Sequence, residues 1–148
     1  MRSAPLSWLV VLGSLIGCAA ARSSLPDFRA EQAPTANLAW WLAEHPLADD
    51  QNIRIDELDR TPWSSLHVVQ IRGSEPLHMH HEHDLEIMLE RGRGTLQLGA
   101  QRLSLQPGRW VRIPRGTPHA FANESPQPAI GVAVFRPPYD GFDSIKAE

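Results

Sequence analysis

From Asn52 onward, apolar and polar positions alternate with a period of two. NIRIDEL (52–58) alternates cleanly, and SSLHVVQIRG (64–73) is a β-branched run stopped by Gly73. LEIMLERGRG (85–94) runs into a glycine turn and TLQLG (95–99) returns. QRLSLQPG (101–108), RWVRIP (109–114), PHAFAN (118–123) and AIGVAVF (129–135) follow at similar spacing. Short strands punctuated by Gly and Pro predict an all-β antiparallel sandwich or barrel. Closing such a sheet brings inward-facing side chains of different strands to one cavity. Before the strands, TANLAWWLAEHP (35–46) has apolar positions at 38, 41 and 42. That spacing predicts one short amphipathic helix, with Thr35 as N-cap and Pro46 as stop. Trp40 and Trp41 are expected to pack against the barrel.

The N-terminus follows another pattern. Arg2 precedes the apolar run LSWLVVLGSLIG (6–17), which is too short to span a bilayer with proper flanks and leads into small residues. Residues 1–17 read as a secretory signal peptide. Leu15-Ile16-Gly17-Cys18 resembles the bacterial lipobox, in which the cysteine is lipidated and becomes the first mature residue. The resemblance implies an exported protein of the bacterial cell envelope, on the periplasmic face or the cell surface, held to the membrane by lipid on Cys18. Residues 18–34 would be the tether, and 35–148 the single domain with its core at about 64–136. Cys18 is the only cysteine, so no disulfide framework exists. The chain's 148 residues, 42% apolar and 21% charged, suit one globular domain. A net charge of −3 without a basic cluster argues against a nucleic-acid partner.

The histidines are unevenly spent. Four of seven fall in HMHHEHDLE (78–86), and another closes PRGTPH (114–119). Gly108, Pro114, Gly116, His119 and Asn123 give the spacing G-x5-P-x-G-x2-H-x3-N. This matches every fixed position of the second motif of the cupin superfamily, which the chain resembles from about Ser64 to Phe135. The first cupin motif is partly present: Gly73, then His78-Met79-His80, then Gly92. Its glutamate position is not filled cleanly, because the spacing falls on Asp84 or Leu85 and Glu86 is one step further.

The resemblance implies a jelly-roll β-barrel holding one divalent transition metal near one mouth. His78, His80 and His119 would be ligands, with a third or fourth among His83, Asp84 and Glu86. Alternation puts His78 and His80 on one face, and the Leu85, Ile87, Leu89 face carries His83 with it. Such a set would suit Fe, Mn, Ni, Zn or Cu. Asn123, Gln70 and Glu86 are candidates to fix the imidazoles. His67, Gln70, Met88, Trp110 and Phe121 are candidates to line the cavity. His45 is read as solvated, and an inward arginine could hold a substrate carboxylate. Three functions stay open: a metal-dependent enzyme acting on a small oxygenated substrate, a non-catalytic envelope module that binds a small ligand or metal ion, and a structural, homodimeric barrel with a vestigial site. The tail FRPPYDGFD (135–143) is expected to stop the last strand at its prolines and turn at Asp140-Gly141.

Overall fold

The computed structural model of the chain describes residues 37–146. The signal-peptide segment, Cys18, the tether and Thr35 lie outside the described residues. One helix, α1 (Leu38–Glu44), precedes ten strands: β1 (Ile53–Arg60), β2 (Ser65–Ile71), β3 (His78–His80), β4 (Asp84–Arg91) and β5 (Gly94–Leu98), then β6 (Gln101–Leu105), β7 (Trp110–Ile113), β8 (His119–Asn123), β9 (Ala129–Arg136) and β10 (Ser144–Lys146). They form two five-stranded sheets, ordered β1-β2-β9-β4-β7 and β10-β3-β8-β5-β6. All pairings are antiparallel. This is the predicted all-β jelly roll with one short N-terminal helix.

Both sheets give alternate residues to one core. Ile71, Leu85, Leu89, Ile113, Ala133 and Phe135 come from the first sheet. Leu96, Leu105 and Phe121 come from the second. The period-two pattern is therefore the signature of two sheets packed face to face, each burying one side. Leu85 and Leu89 are buried, and Ile87 packs against the same cluster. Gly92, between β4 and β5, has φ +91° and its α-carbon faces Ala129 and Ser125. A side chain there would suffer both left-handed strain and a backbone collision.

Two local expectations change. No residue of α1 is buried, and Trp40 is 61% exposed rather than packed on the barrel. Seven residues are too few to stabilise a helix by propensity. Polar ties instead hold the segment after it: Gln70 Nε2 donates to His45 O at 2.7 Å and Arg54 donates to Pro46 O. His45 is not simply solvated, since its ring stacks on Trp41 with centroids 4.2 Å apart. The tail does more than stop and turn. β9 ends at Arg136, but Ser144–Lys146 returns as β10 and pairs with β3, placing Ser144 opposite His80 and Lys146 opposite His78.

Candidate metal centre

Three elements bring the histidines together. β3 pairs with β8 with His78 opposite His119. His80, two residues along β3, faces the same side as His78. The Pro114–Pro118 turn delivers His119, helped by Gly116 at φ +72°. Within it, the Thr117 amide donates to Pro114 O at 3.1 Å, while the Gly116 amide donates to His80 O at 2.6 Å. The second motif is thus hydrogen-bonded to the backbone of the first.

One ligand atom from each of His78, His80 and His119 lies within 4.8 Å of the others. Their ring centroids are 4.3 to 5.4 Å apart. His78 Nδ1 donates to Pro76 O at 3.0 Å and His119 Nδ1 donates to Thr117 O at 2.9 Å. A carbonyl only accepts, so each Nδ1 carries the proton and each Nε2 keeps its lone pair. His80 Nδ1 is buried with no hydrogen-bond partner. Burial, reinforced by the neighbouring His78, pushes the His80 imidazole down to about 4. Burial likewise pushes His119 down to about 4, against the Thr117 hydrogen bond. Both are therefore neutral near pH 7, the form that ligates a metal. Two preset tautomers and an orphaned buried nitrogen fit a divalent transition metal. A purely imidazole set suits Zn, Cu, Fe or Ni better than Mn, which prefers oxygen donors.

The trio borders a cavity of ≈ 110 Å³ inside the barrel, with walls that are mainly aliphatic and come from both sheets. Residues 65–135 match the family described as the cupin domain. An uncharacterized protein of Aquifex aeolicus is 38% identical over 98 residues, covering 66% of this chain and 80% of that protein. This chain belongs to the cupin family. Among solved structures similar to this cupin, KdgF from Halomonas sp. has 25% identity and a TM-score of 0.59, covering 66% of this chain and 91% of that one. A Klebsiella pneumoniae protein with a double-stranded β-helix domain has 20% identity and a TM-score of 0.61, covering 72% and 95%.

Of the two residues on which the cupin glutamate spacing falls, Asp84 and Leu85, Leu85 is buried in the core at 6% exposure. The neighbouring carboxylates point elsewhere. Asp84 accepts from the Arg115 amide at 3.0 Å and pairs with the Arg115 and Arg112 guanidinium groups. The Arg115 hydrogen bonds, amide first, hold its carboxyl below the usual range. Glu86 pairs with Arg136 at 3.1 Å. His83 is buried, as its face predicts, yet it is bound to Asp143: Nδ1 to Oδ2 is 2.6 Å. None of these three joins the imidazole cluster.

The other candidates divide. Met88 and Phe121 line the cavity. His67 does not. It is buried against Phe135 and Tyr139 and bonded to Ser65 Oγ at 2.8 Å, and burial lowers its affinity for a proton. Gln70 faces the helix side, and Trp110 is 57% exposed, so neither borders the cavity. Asn123 ties down a loop, donating to Arg72 O and Gln127 O rather than to an imidazole. The arginines stay outside: among the described residues, no arginine or lysine lines the cavity.

Two residues escape sequence reasoning. Glu75 lines the cavity, and its Oε2 accepts from the Phe121 amide at 3.1 Å. Its own amide donates back to Phe121 O, so the residue is locked onto β8. Burial raises its pKa, against the pull of His78. It sits in an irregular stretch, SEPL, where no periodicity marks a facing direction. Asp143 accepts from the His81 and Glu82 amides at 3.0 and 2.8 Å as well as from His83. Burial opposes its charge, but these hydrogen bonds win and hold it at about 2. Nothing in the sequence links Asp143 to a loop sixty positions upstream.

Proposed function

We propose that this cupin binds one divalent transition metal through His78, His80 and His119 and acts as a metal-dependent enzyme on a small oxygenated substrate. The observation that carries this reading is the convergence of three imidazoles on an apolar cavity, with no fourth histidine or carboxylate in the cluster among the described residues. A structural or storage site closes its shell with protein ligands, whereas a catalytic one keeps positions open. A bound ion would polarise a ligand oxygen and favour its deprotonated form. The chain's own part is to orient the imidazoles through Pro76 O and Thr117 O, exclude bulk water with the aliphatic walls, and present Glu75 beside the site.

A non-catalytic binding module is the second reading, and the lack of a glutamate at the motif spacing, which falls on Asp84 or Leu85, favours it. We also propose that the protein is exported and lipid-anchored at Cys18. That rests on the apolar leader and the Leu15–Cys18 quartet. The test of the main reading is elemental analysis of the full-length chain purified without a histidine tag. About one equivalent of metal, absent from His119→Ala, is the expected result. Little metal in either form, or equal metal in both, rejects it.

A further inference from the structure

We propose that Glu75 makes this cavity selective for a small uncharged alcohol or phenol, whose hydroxyl bridges the imidazole trio and the Glu75 carboxylate. The inference rests on the metal-site reading above and specifies the ligand class of that site.

Four observations converge. Glu75 faces the cavity but is not among the atoms clustered within 4.8 Å, so it stands beside the imidazole trio rather than within it. Its position is fixed from both directions by the backbone of Phe121, two residues beyond His119 in β8. One carboxylate oxygen receives the Phe121 amide, and among the described residues no arginine or lysine is paired with the other. A half-buried carboxylate that is short of donors needs a hydrogen-bond donor from whatever enters.

The rest of the lining restricts that molecule further. Its walls are aliphatic, and apart from the three histidines and Glu75 the polar side chains are Tyr139 and Ser144. Among the described residues no arginine or lysine lines the cavity to receive a carboxylate or phosphate, and the Glu75 carboxyl group disfavours one. A hydroxyl would meet both demands at one atom, offering a lone pair to an ion held by the three histidines and a proton to Glu75. A carboxylate offers the lone pair but no proton, and an ether has the same defect. The apolar body of the ligand then fills the barrel. The cavity volume is on the order of a benzene ring's site.

The test uses the zinc-loaded full-length chain, with metal content measured on each sample, and three probes of similar shape: phenol, anisole and benzoate. Calorimetric titration at one pH is expected to give phenol at least tenfold tighter binding than either competitor. Glu75→Gln keeps an acceptor for the Phe121 amide but removes the charge. It should hold its zinc, lose at least tenfold in phenol affinity, and narrow the gap to benzoate. Benzoate or anisole binding as tightly as phenol overturns the proposal, and so does unchanged discrimination in Glu75→Gln. Binding of none of the probes to zinc-replete protein also overturns it. A chain that takes up none of zinc, copper, iron or nickel refutes the metal reading itself, which the metal measurement reports separately. Should Glu75→Gln fail to fold, the phenol-to-anisole ratio in the wild type still decides.

Discussion

The two histidine-bearing segments are built in opposite ways. The segment before His119 is assembled from its neighbours: Pro114 and Gly116 shape the turn, and a Thr117-to-Pro114 hydrogen bond closes it. The segment after His80 has no such local logic. His81, Glu82 and His83 are gathered by a single carboxylate, Asp143, from the far end of the chain. β3 itself, three residues long, is paired on one side by β8 and on the other by β10. One half of the candidate centre is thus a sequence-local motif, and the other is held by the tail. A motif can be complete in sequence only where its geometry is made by adjacent residues.

Several substitutions break or sharpen this contrast. The largest effect is expected at the point where the halves meet. His119→Ala should lower metal affinity by more than about 100-fold, read by competition with a chromophoric chelator, because losing a ligand exceeds the cost of losing its supporting partner. Next, Asp143→Ala should destabilise the fold by about 3 kcal/mol in urea unfolding, since it strips a buried imidazole and two amides of a charged acceptor. If the tail does not hold the first segment, the loss will stay below about 1 kcal/mol.

The pH dependence of that contribution follows from the depressed acidity of Asp143. Its folded value, about 2, lies below the ordinary 3.8, so the stabilisation is present above 3.8 and is lost as pH falls toward 2. The stability gap between wild type and Asp143→Asn should therefore be constant from neutral pH down to 3.8 and close by about 2. A gap that instead closes near neutrality would assign the effect to another group.

Smaller effects test the local half and the outer carboxylates. Gly116→Ala should cost about 1–2 kcal/mol in unfolding free energy, because φ +72° is strained for any side chain although nothing lies within 4 Å of the added carbon. Asp84→Asn should leave the urea unfolding midpoint almost unchanged and metal stoichiometry intact, its guanidinium partners being more than half exposed and screened by water. Loss of metal in that variant would return Asp84 to the ligand set.

The period-two strands, the motif around His119 and the shared face of His78 and His80 were legible because strand geometry fixes side-chain direction along each short segment. The aromatic placements were not. Trp40 and Trp110 have the composition of packing residues, but whether a face is covered depends on elements elsewhere in the chain. Gln70 and Asn123 look like site residues by position, yet each donates to backbone carbonyls rather than to an imidazole. The motif spacing points to a carboxylate after the paired histidines, where Asp84 and Leu85 stand, whereas the structure brings Glu75 to the cavity from before them.

By itself, the sequence determined the jelly-roll class, the cupin relationship and three imidazoles with the spacing to converge. These rest on alternation and on turns closed by near neighbours. Only the tertiary structure decided that Asp84 and Glu86 face arginines, that His83 belongs to Asp143, and that Glu75 borders the cavity. The reason is physical: which charge meets which depends on pairings between strands far apart in the chain, and no local pattern encodes a partner sixty residues away.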